Sequence, residues 1–397
     1  MNSLDLVSLG KIVTIREQLM KAQKEGKKVY RLESGDPSFA IHPEIEMAMV
    51  EALNAEKTHY VPVDGIPELR KEIAEYYNKH HGFGIEASDV FITNGAMHGL
   101  YVTFQAIHED TSENRIVIPD PEWTEIFENA RLAGLQPVQL TFDPEDPSTY
   151  TANRLRSAEV VLLNSPHNPT GVCLTNDQKQ GFVDHVVDNE MWMISDEAYE
   201  TITYDNIHTP VASMMPKDYD KWVSIHSTSK AFAMSGLRLG FVITKNAKVK
   251  SRLSKIIRCS INGTNSVTQW GALEAFKLDR STEYFQKVAD SYKERRQIIF
   301  DTISNDKIAG SVLKPIWPEG GFFLWCKVNP KYSADALSEK LAKFGLGNAP
   351  GSCFGDSEGT VQSMRFSFSI DTEQVREGSK YLIELLNTKD FLNEVMR

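Results

Sequence analysis

The stretch Ser227-Thr228-Ser229-Lys230, continuing through Arg238 to Gly240, holds the residue types best suited to chemistry. Lys230 lies just beyond an apolar run and is flanked by small hydroxyl residues, a poor setting for a solvated cation. A lysine so placed can form a Schiff base while the serines and Arg238 cradle a phosphate. Read alone, the stretch is a surface lysine in a loop. Three further segments change that reading. Ser165-Pro-His-Asn168-Pro-Thr-Gly171 is a rigid turn that presents an amide. Ser195-Asp196-Glu-Ala-Tyr199 puts a carboxylate at a strand end with a phenol three residues on. Thr93-Asn-Gly95-Ala96-Met97 opens a helix with a glycine, which suits anion binding by free N–H groups.

These residues need elements to position them. Short apolar runs precede most of them: Arg115 to Pro119, Val160 to Asn164, Met191 to Ser195, Trp222 to His226 and Leu239 to Thr244. Helix-length segments separate most of these runs. One helix is expected from Pro43, with Ile45, Ala48, Met49, Ala52 and Leu53 on a face. Another follows Ile66-Pro67, with Leu69, Ile73, Tyr76 and Tyr77. Strands apolar at every position are covered on both sides, so the class is α/β, with a mostly parallel central sheet flanked by helices. Polar residues follow these strands, where open α/β sheets bind ligands. After about residue 280 a charged helix, Gly320 to Trp325 and Met364 to Ile370 suggest a smaller α+β domain. The expected division is an N-terminal segment, 1–45, packing with the small domain; a large domain, 46–282; and a small C-terminal domain, 283–397.

Taken together, the motifs resemble the class I/II aminotransferase family of fold-type I pyridoxal-phosphate (PLP) enzymes. The shared order is a helix-opening Gly, an aromatic after Pro-x-Pro, NPTG, Asp-x-x-Tyr, SxSK, and an Arg eight residues past the Lys, between about Gly35 and Arg365. The resemblance implies that Lys230 binds the cofactor aldehyde and shuttles the substrate proton. It implies that Asp196 pairs with the pyridine nitrogen, that Asn168 and Tyr199 bond the ring oxygen, and that Trp123 stacks on the ring. It gives the phosphate to Arg238, Ser227, Ser229 and the amides of Gly95, Ala96 and Met97, helped by Tyr60 of a neighbouring subunit in a homodimer. Arg365 would take the substrate carboxylate as a bidentate pair, with Asn168 and a backbone contact at Gly35 beside it. Read alone, Trp123 is a core aromatic and Tyr60 an aromatic before a turn. Arg365 could be a solvated strand-edge arginine, though aromatics flank it.

The implied activity is ping-pong transfer of an amino group from an L-amino acid to a 2-oxo acid. Some aspartate-using members carry a lysine at the position of Met97, and methionine cannot make that ion pair. An apolar or aromatic donor is therefore favoured over aspartate. The alternative is a PLP-dependent lyase, synthase or cyclase on the same scaffold.

Composition narrows the rest. The 397 residues carry 54 acidic and 43 basic side chains, a net −11 with the basic residues scattered, which argues against nucleic-acid binding. No apolar run approaches the ~20 residues of a membrane span. Four dispersed cysteines without CxxC fit a reducing cytoplasm, and no metal site is expected. The adjacent His80 and His81 read as a solvated pair at a polar helix end. Two letter matches are set aside: Gly82 to Ala87 as a helix stop rather than a dinucleotide fingerprint, and Gly355 to Gly359 as a surface loop rather than a nucleophile elbow.

Overall fold

The computed structural model describes residues 7, 10–155, 158–205 and 208–396; the first residues of the N-terminal segment lie outside them. The central sheet has seven strands: β1 (Val90–Thr93), β2 (Arg115–Asp120), β3 (Gln136–Thr141), β4 (Val160–Asn164), β5 (Trp192–Asp196), β6 (Trp222–Ser227) and β7 (Gly240–Ile243). Their order is β1-β7-β6-β5-β4-β2-β3, and β7 alone runs antiparallel to its neighbours. All five expected strands are present. β1 and β3 are additional.

Alternation along these strands feeds two apolar layers. Ile116, Leu162, Ile194, Val223 and Val242 join one cluster, and Val117, Leu163, Met193, Trp222 and Phe241 the other. Each fully buried Leu, Ile or Val contributes about 1.5–3 kcal/mol, so neither face of the sheet can be left open to water.

The helices, in chain order, are α1 (Lys11–Lys24), α2 (Pro43–Asn54), α3 (Pro67–His81), α4 (Gly95–His108), α5 (Thr124–Leu132), α6 (Asn176–Asp188), α7 (Thr228–Ala231), α8 (Ala247–Ser260), α9 (Ser266–Thr282), α10 (Tyr284–Asn305), α11 (Ala309–Val312), α12 (Ala334–Lys343), α13 (Glu358–Val361) and α14 (Thr372–Asn387). α3 starts with Pro67 at its first position and ends at Gly82, whose φ of 67° closes the helix with bonds to Asn78 and Tyr77. The glycines there are a helix stop. On α2, Ile45 and Ala52 are buried, but Leu53 is exposed, so the inward stripe is narrower than its sequence spacing suggested. His81 is also less solvated than expected, packing against the rings of Tyr76, Tyr77 and Phe83.

A second, antiparallel sheet has the order β10 (Ala349–Pro350), β11 (Ser363–Ser367), β9 (Phe323–Val328), β8 (Leu313–Pro315). The N-terminal segment lies against this layer: Tyr30 bridges Leu346, and the Ser367 amide donates to the Leu32 carbonyl. The two sheets are joined at the end of β2. The fully buried Asp120 carboxylate accepts from the amides of Asp356 (3.2 Å) and Ser357 (3.0 Å) and the hydroxyls of Ser357 (3.0 Å) and Thr360 (2.6 Å). A Cβ on Gly355 would fall 2.1 Å from that carboxylate. The stretch Gly355 to Gly359 is therefore no free surface loop but the grip of the second layer on β2.

Candidate active site

Lys230 sits in the single turn α7, just beyond β6. Ser227 caps that turn, its hydroxyl accepting from the Ser229 amide (3.1 Å), and Ser229 is buried. The Lys230 ammonium donates to the Gly35 carbonyl at 2.8 Å and lies 5.9 Å from the Tyr199 ring. Burial lowers its pKa to about 8, against a counter-pull from Asp36; Arg365 and Arg238 lower it further. A lysine with that pKa is mostly protonated at pH 7 but holds far more free amine than a solvated lysine does, which favours a nucleophile.

Asp196 ends β5 and is buried. Its side chain accepts from the Ala198 amide (3.0 Å), which fixes its direction. Burial pushes its carboxyl up to about 7, with Glu122 and Glu197 adding to the rise. A buried carboxylate in that state favours a cationic partner, which a protonated ring nitrogen would provide. Tyr199 is buried against Phe322 and Phe323, and burial raises its phenol. Trp123 is the residue just before α5, positioned by Glu122, which accepts from the Trp123 amide and the Asn164 side chain, both at 2.7 Å.

Arg365 comes from the second sheet. It donates to Asn168 Oδ1 (2.8 Å) and the Glu33 carbonyl (3.1 Å), while its buried Nε has no partner. Phe323 and Phe354 lie 4.2 and 4.8 Å from the guanidinium. Burial lowers its pKa to about 10, and it remains a cation. The segment from Glu33 to Gly35 thus runs between Arg365 and Lys230, touching both through carbonyls. Gly35 meets the lysine, whereas Glu33, which the sequence did not single out, meets the arginine.

A third group forms around the start of α4. No side chain caps this helix, so the first amides, from Gly95 to Met97, are left for an anion. Arg238 lies over them, donating to Ser235 O (2.7 Å) and Asn94 O (3.5 Å). The approach requires glycine twice. A Cβ on Gly95, whose φ is 80°, would sit 2.4 Å from Arg238 Nη2, and one on Gly240 would sit 2.6 Å from the Ala96 amide. Met97 is half-buried, its sulfur accepting from Asn129 (3.1 Å).

A buried lysine, a buried carboxylate, a helix N-terminus overlain by an arginine and a buried arginine thus share one end of the sheet. The model for "Aminotransferase class I and II" matches residues 27–382. The chain belongs to the class I and II aminotransferase family. Members of this family are PLP-dependent transferases, and this aminotransferase is 32% identical over 376 residues to the aspartate aminotransferase of Pyrococcus horikoshii, with 91% of this chain and 92% of that one covered. The aspartate/prephenate aminotransferase of Thermus thermophilus is 25% identical, with 94% and 95% covered. Among solved structures, the aspartate aminotransferase of Thermotoga maritima superposes with a TM-score of 0.87 at 24% identity, covering 98% of this chain and all of that one. Its likeness carries the fold.

One expected site residue stands apart from the rest. Tyr60 is 90% exposed, on a hollow of about 340 Å³ shared with His59, Asn262 and Asn265, and touches none of the groups above. Trp123 shares the sheet end, its half-buried side chain packed on the same apolar cluster as Ala96. Sequence reasoning missed Glu122, although it lies inside Pro121-Glu-Trp123; a charged residue between Pro and Trp was the available signal. No helix among the described residues is long and apolar enough to cross a membrane.

Proposed function

We propose that this aminotransferase binds pyridoxal phosphate at the sheet end just described and moves the amino group of an apolar or aromatic L-amino acid to a 2-oxo acid by a ping-pong route. The residues present fit the cofactor: an amine for its aldehyde, a cradle shaped by Gly95 for its phosphate, and a buried carboxylate lacking a cation for its ring nitrogen. When bound, the cofactor supplies an electron sink for the substrate's Cα–H bonding pair. Asp196 would hold the ring nitrogen in its protonated form, Asn168 and Tyr199 would hydrogen-bond the ring oxygen, and Trp123 would stack on the ring. Arg238, Ser227, Ser229 and the amides of Gly95, Ala96 and Met97 neutralise its phosphate. Lys230, once its amine is free, would move the proton between the substrate Cα and the cofactor's C4′. Arg365 orients the substrate carboxylate.

The meeting of Lys230 and Arg365 on the segment from Glu33 to Gly35, with the Asp196 carboxylate close enough to act on the Lys230 charge, carries this reading. Met97 supports the donor preference: pinned by Asn129, it offers a polarisable apolar wall where an ion pair to a distal carboxylate would be needed. The relatives named for aspartate make this the sharpest point of the proposal. The same reading includes a division into 1–45, 46–282 and 283–397, a cytoplasmic setting, and a homodimer in which the exposed Tyr60 reaches the neighbour's phosphate.

A screen of single amino acids against the cofactor-loaded enzyme, followed by absorbance, tests it. Phenylalanine-type donors should bleach the cofactor's visible band faster than aspartate and regenerate it with a 2-oxo acid. If no donor bleaches the band, transamination fails; if aspartate is fastest, the preference fails. If ammonia or a cyclised amino acid forms without any acceptor, the chemistry is that of a lyase or cyclase.

A further inference from the structure

The turn from Asp196 to Glu200 faces two ways. Asp196 and Tyr199 look into the candidate site, while Glu197 and Glu200 look behind it, each to a buried histidine. Glu197 pairs with His208 and accepts from the Val211 amide (3.0 Å). Glu200 is reached by a longer chain. Ser195, on β5, donates to Ser224 on β6 (3.2 Å), and the two are register partners. Ser224 lies 2.8 Å from His226 Nε2, and His226 Nδ1 lies 3.0 Å from Glu200 Oε1. The Tyr77 hydroxyl, from α3, donates to the same carboxylate oxygen and lies 2.9 Å from His226 Nδ1, so the Nδ1–H is shared between Tyr77 and Glu200. Burial, then the Glu200 carboxylate, raises the Tyr77 phenol, which keeps that donor protonated.

The directions close without conflict if Ser195 donates to Ser224, Ser224 to Nε2, and Nδ1–H to Glu200. His226 is buried and stacked on Phe241 (4.9 Å between centroids, 9° between planes), so its ring cannot turn away. The chain begins at the residue before Asp196 and ends at the residue after Tyr199.

We propose that His226 is a positioning residue: with Ser195, Ser224, Glu200 and Tyr77 it staples both ends of the Asp196–Tyr199 turn to β6, and so fixes these two side chains towards the cofactor. This rests on the functional reading above. Without the hub, Ser224 loses its acceptor and Glu200 keeps only Tyr77, its other oxygen being buried and unpartnered already.

His226→Phe keeps an aromatic ring on Phe241 but removes both arms. Pyridoxal phosphate affinity by absorbance titration should weaken about tenfold, the loss of one to two net hydrogen bonds. The kcat should fall at least as far, and the donor KM should stay within about twofold, because Arg365 is untouched. His226→Asn and His226→Gln each retain one arm and should fall between, as should Tyr77→Phe. A variant that lowers only the melting temperature, with affinity and kcat within twofold of the parent, overturns the staple. Should His226→Phe not fold, parent-like affinity in both amide variants overturns it equally. A parent that takes up no cofactor overturns the functional reading and this inference with it; a parent that does, with unchanged variants, overturns the staple alone.

Discussion

Gly95→Ala tests the anion cradle at its tightest point. The new methyl would lie 2.4 Å from Arg238 Nη2, 3.0 Å from Cζ and 3.4 Å from Nη1, so the whole guanidinium must withdraw. Restoring ordinary contact needs a shift of about 1 Å, which stretches the bond to Ser235 O and takes the cation away from the α4 amides. Alanine at a φ of 80° adds about 1–2 kcal/mol of backbone strain. A charge-assisted hydrogen bond is worth about 1.5–3 kcal/mol, which converts to roughly 10- to 100-fold in affinity. The assay compares equilibrium binding of pyridoxal phosphate with that of pyridoxal, which lacks the phosphate. The variant should lose this factor for the first ligand and less than about threefold for the second. Equal losses for both would show that Gly95 matters only to folding, and no loss would show that the phosphate lies elsewhere.

Two further outcomes follow from the same geometry. Asp196 has its folded pKa raised from 3.8 to about 7 by burial, so the folded state holds its proton more tightly than the unfolded chain does. The cofactor-free protein should therefore lose stability as pH rises from about 4 to about 7, by at most on the order of 4 kcal/mol. Asp196→Asn should remove that dependence, raising the urea midpoint above the parent's at pH 7.5 while abolishing transamination; matching midpoints there would contradict the buried charge. Arg365→Lys should raise the donor KM about 10- to 100-fold, since an ammonium cannot make the forked contact, with cofactor affinity within twofold. A matching loss of cofactor affinity would place the arginine in the wrong role.

The sequence made most of the candidate site legible because its parts follow strands that are apolar at every position. The exceptions have physical causes. β3, Gln-Pro-Val-Gln-Leu-Thr, is an edge strand with half-exposed alternation, and β1 is only four residues long, so neither stands out as an apolar run. The reversal of β7 depends on the short path from Lys230 to Gly240, which composition does not disclose. Glu200 and His226 stayed hidden because their polar atoms meet inside the protein. The alternation of Trp222, Ser224 and His226 on one face of a buried strand was the trace they left, visible once β5 and β6 lie side by side. Asp120 was equally silent, its four donors lying more than 230 residues away along the chain.

That last residue bears on how the molecule breathes. Rocking the C-terminal layer away from the main sheet would strip a carboxylate of four donors in a place water does not reach, at a cost of several kcal/mol. The two layers are in effect welded at this point. Any opening of the site that keeps this grip would have to come from smaller pieces, such as single side chains and the strip through Gly35.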